Sequence, residues 1–168
     1  MAYWIVVSSQ DKTDPKISGL DKWQKRKDDC FWGVPESGRV DTSIVTGDKA
    51  FFYVGSPQVL LVGPVDVLSG IHQLSEAEKA KLWGESVAFT ANQGFFFKTE
   101  VEACGVCEVR SLVKNHDLDF VKDKDNWQFS FHHSLIRIEQ EDYETILRAM
   151  ADEPVDAPQL FQETRVSK

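Results

Sequence analysis

The chain has 168 residues, of which 42% are apolar and 27% charged, and a net charge of −8. That is enough for one domain with its own core and too apolar for a chain that stays disordered. The 27 acids against 19 bases exclude indiscriminate binding along nucleic acid and leave any such contact to a local patch.

Tyr3–Val7 is a short apolar run of β-branched and aromatic residues and reads as a buried strand, followed by the polar turn Ser8-Ser9-Gln10. A short charged helix is expected over Leu20–Asp29, and a brief apolar segment, Phe31–Val34, is closed by Pro35. Thr46-Gly47-Asp48 is a turn signal before a buried strand over Ala50–Val54. Val59–Leu68 is the next strand; Gly63-Pro64 inside it calls for a bulge or an edge position. Ser75 and Glu78 have the capping-box spacing and should open a helix reaching Trp83. Phe95–Arg110 alternates and is expected to be one long strand. Tyr143, Ile146, Leu147 and Met150 place one apolar face on a last helix over Gln140–Met150. Beyond it, Pro154 and Pro158 stand in a polar segment, so 151–168 is expected to be a loosely held tail on a domain spanning 1–150. Several strands with a few short helices predict an α+β domain built on a curled or closed sheet.

No apolar run approaches the roughly 20 residues of a membrane span, and Met1–Gln10 lacks the marks of a signal peptide, so a cytoplasmic location is expected. Three cysteines make a poor disulfide framework. Cys104 and Cys107 form a C-x-x-C, but residues three apart on a strand point to opposite faces, so both read as structural. His132-His133 has no second ligand pair, and no metal or cofactor is expected. Nucleotide-binding glycine loops, the G-x-S-x-G elbow and H-E-x-x-H are missing, which points away from an enzyme.

Five tryptophans stand out. Trp4, inside the first strand, reads as core. Trp32 and Trp83 each precede a glycine at the edge of an element and are expected to stand free as the walls of a slot. The opening Tyr3-Trp4-Ile5-Val6-Val7-Ser8-Ser9, the Phe31-Trp32-Gly33-Val34 element and Thr46-Gly47-Asp48-Lys49-Ala50-Phe51-Phe52-Tyr53 follow one another here in order. Gly94-Phe95-Phe96-Phe97-Lys98, Trp127, Arg137 and Glu141-Asp142-Tyr143 complete the series. In this order and spacing the chain resembles the EVE family, a PUA-like branch related to the YTH domains. The resemblance covers about Ala2–Met150. It implies a PUA-like curled sheet or β-barrel with flanking helices and a pocket for a modified or flipped base of DNA or RNA. It departs from the family's W-G-V-R-N string, since Pro35-Glu36 follow Val34.

Carried over by position, Trp32 and Trp83 become cage walls, and Ser8 and Ser9 bond the base edge; the Gln10 amide in the same turn can read that edge as well, and Tyr53 is counted with the pocket. Arg137 falls on a phosphate-contacting position. Lys22, Lys25 and Arg26 lie in the basic run Lys12–Lys27 before Trp32 and are further phosphate candidates, although Asp21, Asp28 and Asp29 interrupt the run. The leading expectation is therefore a module that binds nucleic acid through one modified base. The alternative is a regulator that binds a nucleotide or small ligand in the same pocket, which the overall acidity favours. Oligomeric state is open.

Overall fold

The computed structural model describes residues 1–10, 14–36, 39–84, 91–99 and 104–156. In chain order they form β1 (Tyr3–Ser8), α1 (Gly19–Asp29), β2 (Phe31–Val34), β3 (Lys49–Val54), β4 (Leu60–Val67), β5 (His72–Gln73) and α2 (Glu76–Trp83). There follow β6 (Gln93–Lys98), β7 (Gly105–Glu108), α3 (Val109–Asn115), a 3-10 helix (Trp127–Phe131), β8 (Leu135–Ile138) and α4 (Gln140–Asp152). The strands make one curled mixed sheet in the order β2-β6-β4-β3-β1-β8, with β5 on β6 and β7 on β4. Only the β1–β3 pair is parallel among the described pairings. This is the α+β curled sheet with flanking helices that the sequence led us to expect.

Both capping boxes form. Ser18 and Asp21 start α1, and Ser75 and Glu78 start α2, each pair exchanging side-chain and backbone hydrogen bonds. The expected bulge in β4 is present, but on a central strand. Ala50 and Phe52 of β3 face Val65 and Val62, so β4 fits one extra residue between them. Gly63 takes a φ of +146° there, and a Cβ would sit 3.0 Å from the Phe51 ring.

The long strand predicted over Phe95–Arg110 is corrected: β6 and β7 are separate, and residues 100–103 lie outside the described set. Both strands pair with β4 along different stretches, β7 with Leu60–Gly63 and β6 with Asp66–Val67. The second strand stops at Glu108 because its carboxylate accepts from the N–H groups of Arg110 and Ser111 and turns the chain into α3. Cys104 precedes β7, while Cys107 is buried inside it, where burial and the nearby Glu108 and Glu153 push its thiol up to about 12.

The side-chain alternation of β1, β3 and β4 divides the core. Trp4, Val6, Phe52, Val54 and Val62 face the inside of the curl, which α1 closes with Trp23. Ile5, Phe51, Tyr53 and Leu61 face outward under α3 and α4. A third cluster, Phe31, Leu74, Leu82 and Trp83, lies between β2 and α2. The segment after Met150 is attached as far as it is described. The helix α4 continues to Asp152, and Val155 donates its N–H to the Val106 carbonyl at 3.3 Å and packs on the core.

Candidate functional site

Three chain segments converge where β1 leaves the sheet. The Gly55 N–H, just after β3, donates to the Ser8 carbonyl at 3.0 Å. The Ser8 hydroxyl donates to the Gly19 carbonyl, at the start of α1, at 2.6 Å. A Cβ on Gly19 would lie 2.1 Å from the Ser8 carbonyl oxygen, so only glycine allows the helix to approach β1 this closely. From the other side, the Val7 N–H donates to the carbonyl of Ser134, which leads into β8. The turn after β1 is thus held by α1, the β3–β4 connection and the entry to β8, while Ser9 and Gln10 stay exposed.

An aromatic floor continues from this mouth. Tyr53 lies beside Val7 in the β1–β3 register, and both its ring and the Ser9 Cα flank Gly55, each 3.7 Å from where a Cβ on that glycine would sit. Tyr53 stacks on Phe131 at 4.2 Å and 18°, and Phe131 meets Phe120 and Trp127 edge-on. Burial raises the Tyr53 phenol above its ordinary value, and the positive charge of Arg110 pulls the other way. The phenol therefore stays protonated at neutral pH, a neutral hydrogen-bonding group in an apolar wall.

The structure brings together Ser8, Ser9, Gln10 and Tyr53, but their parts differ from those expected. Ser8 is fully buried, and its hydroxyl ties β1 to α1 instead of facing a base. The Gln10 amide nitrogen donates to the Pro15 carbonyl.

The slot between two free-standing indoles is not formed. Trp32 is 6% exposed and points into the inner core against Phe52 at 5.0 Å. Trp83 is 5% exposed and packs on Phe31, the neighbour of Trp32 in β2, at 5.6 Å. Adjacent strand residues point to opposite faces, so the two indoles lie on opposite sides of β2 and cannot sandwich one base.

The phosphate candidates are also rearranged. Arg26 is 3% exposed, its guanidinium lies 3.7 Å over the Trp83 ring, and it bonds Asp29 at 2.8 Å. Burial lowers its pKa to about 10 against the opposing pull of Asp29, which still leaves it charged at neutral pH. A cation held this way cannot reach a phosphate without leaving Trp83. Lys25 pairs with the same Asp29 at 3.1 Å, and Lys27 with Asp28 at 3.3 Å. Lys22 is half-buried on α1, and Lys12 lies outside the described residues. Arg137 is exposed but faces Trp4 across the β1–β8 pair, near the start of β1 and away from the mouth. Its charge adds to the two Ser43 hydrogen bonds that hold Asp41 below the usual carboxylate range.

Phe131 and Ser134 were not legible as site residues, since nothing local ties them to a turn some 120 positions away. In the sequence Asp48 reads only as part of a turn, yet it is the buried anchor of the far end of the sheet. It accepts from the Ala2 N–H at 2.7 Å, the Trp4 indole N–H at 2.9 Å and the Val45 N–H at 3.0 Å. Burial opposes its ionisation, but these donors outweigh it and hold the carboxyl below its ordinary value. Among the described residues, no three His, Cys, Asp or Glu side chains are grouped to hold a metal ion. No described helix is long and apolar enough to cross a membrane.

Comparison with known proteins gives this arrangement a context. The EVE domain family model matches residues 2–149. A UPF0310 protein of Mycolicibacterium gilvum is 25% identical over 153 residues, spanning 90% of this chain and 96% of its own length. Among solved structures, Atu2648 of Agrobacterium tumefaciens superposes with a TM-score of 0.56 at 20% identity, covering 88% of this chain and 92% of that one. Human THYN1, crystallised in complex with 5-methylcytosine-containing DNA, superposes with a TM-score of 0.57 at 14% identity, covering 92% of this chain and all of that one.

Proposed function

This chain belongs to the EVE domain family, and from that footing we propose that it is a nucleic-acid-binding module rather than an enzyme, taking one modified base at the mouth where β1 ends. The observation that carries the reading is the exposed Ser9–Gln10 turn set against the Tyr53–Phe131 stack. The same fold in THYN1 is seen with 5-methylcytosine-containing DNA, which supports a nucleic-acid ligand. An exposed serine hydroxyl can donate to or accept from a base edge, and the Gln10 amide retains a carbonyl acceptor. The Tyr53 ring beneath them, 9% exposed, offers an apolar edge, where a buried methyl adds about 0.8 kcal/mol.

Thermal shift and fluorescence anisotropy with short DNA and RNA strands, with and without 5-methylcytosine, test this directly. We expect binding that is tighter for the methylated strand by about three- to fivefold. Equal binding of both strands removes the modified base from the reading. Binding of neither removes nucleic acid as well.

A second reading, a module for a free nucleotide or small ligand, is favoured by one observation. Lys25, Arg26 and Lys27 of α1 are committed to Asp28, Asp29 and Trp83, in a chain of net charge −8. Such a protein would bind the mononucleotide as tightly as the strand, with little change as salt rises.

A further inference from the structure

We propose that Phe129 is a stacking platform for an unpaired base next to the one held at the mouth; this extends the nucleic-acid reading above and rests on it. The ring is 65% exposed. Every other phenylalanine, tyrosine and tryptophan among the described residues is buried or half-buried, so Phe129 is the ring that the fold leaves outside. An exposed phenylalanine adds nothing to the core and keeps apolar area in water, which a stacked base would cover.

Its position is fixed relative to the mouth by contacts already described. At the end of β1 the Val7 N–H donates to the Ser134 carbonyl, Tyr53 beside Val7 stacks on Phe131, and His132 follows Phe131 in the chain. The His132 ring meets Phe129 edge-on at 5.1 Å and 72°. Phe129 therefore lies on the surface of the segment that leads through His132 to Ser134 at the end of β1. It is also held in place. Phe129 sits in the middle of the 3-10 helix, whose last residue, Phe131, is buried, and the Asp123 carboxylate accepts from the Asn126 backbone and side chain just before it. A ring presented on a braced helical turn loses little freedom when a base settles on it.

The local charge argues for a base and against the phosphate chain as what is recognised. Asp117, Asp119, Asp123 and Asp125 precede the segment in the chain against Lys122 and Lys124, and Lys124 pairs with Asp117 at 2.6 Å. Stacking on a neutral ring tolerates such a field, because every base has a π-face and the contact needs no cation.

The test compares wild type, Phe129→Ala and Phe129→Trp on two probes. One is the mononucleotide 5-methyldeoxycytidine monophosphate; the other is a single-stranded hexamer with 5-methylcytosine at the third position. A second hexamer replaces the flanking nucleotides by abasic sites. We expect Phe129→Ala to weaken hexamer binding about tenfold, with the melting temperature, the salt slope and mononucleotide binding unchanged. Phe129→Trp should restore hexamer binding, and the abasic hexamer should bind wild type and Phe129→Ala alike. Equal hexamer affinity for wild type and Phe129→Ala overturns the platform and leaves the mouth standing. So does a Phe129→Ala effect that persists on the abasic hexamer, or a self-associating wild type whose dimer Phe129→Ala dissolves. If wild type binds neither probe and no other oligonucleotide, the nucleic-acid reading itself fails, and the platform with it.

Discussion

Trp32 fills the inner core beside Phe52, with 6% of its surface in solvent. Replacing it by alanine removes a large ring from a packed site that cannot collapse around it. We expect Trp32→Ala to cost about 3–5 kcal/mol of stability in urea unfolding. A variant of nearly wild-type stability would mean that the ring does little for the core. Asp48 is the other residue on which the inner sheet depends. Its folded pKa is depressed, so its contribution is fully present above the unfolded value near pH 4 and is lost as pH falls through the folded value. Asp48→Ala leaves the Ala2, Trp4 and Val45 donors without their acceptor and should cost about 3 kcal/mol at pH 7. That difference from wild type should shrink below about pH 4. A gap that stays constant down to pH 2 would show that the carboxylate's charge is not what the donors need.

At the scale of elements, both capping-box helices and the strands β1 and β3 were readable, because each is decided by contacts within a few residues. The helix α1 shows where such reading stops. Its position was legible, but its inward face includes Arg26 and Lys27, which composition alone assigns to solvent. The aromatic partner that makes Arg26 a buried residue is Trp83, more than fifty positions away. The single strand expected over Phe95–Arg110 failed for a similar reason. Alternation continues through Glu108, and glutamate is a weak helix-capping signal, so nothing local announced the turn into α3. Of the candidate site, the Ser8–Gln10 turn and Tyr53 are named by motifs near them in the chain, whereas Phe131 and Ser134 reach the end of β1 only through the folded sheet. The end of α4 yields a prediction at this scale. Asp152 completes the helix, the Glu153 N–H donates to Ala149 at 2.9 Å, and Val155 is anchored to Val106. A chain ending at Ala151 should therefore melt about 2–4 °C below one ending at Asp156, corresponding to about 1 kcal/mol. Equal melting temperatures would mean that residues 152–156 contribute nothing to stability, as their polar composition first suggested.

Over the whole molecule, charge decides how nucleic acid could be held. With a net charge of −8, the long-range field repels a phosphate chain, and Lys25, Arg26 and Lys27 are paired with carboxylates of their own helix. On the proposed reading, binding comes from a base at the mouth and a neighbour stacked beside it, with few phosphates neutralised. Each phosphate of a single strand contributes about −0.7 to the slope of log K against log salt. We expect a slope no steeper than about −1.5 for a short strand, two contacts at most. Arg26 offers a sharper check within the same titration. Arg26→Gln gives up the contact with Trp83 and leaves Asp29 with one partner fewer, so it should lower stability by about 2–3 kcal/mol. The salt slope should not move, because a guanidinium stacked on Trp83 contributes no phosphate contact. If the slope instead flattens by about 0.7, Arg26 leaves Trp83 when nucleic acid binds. The packing of α1 against α2 would then open on binding, and the basic run before Trp32 would belong to the interface after all.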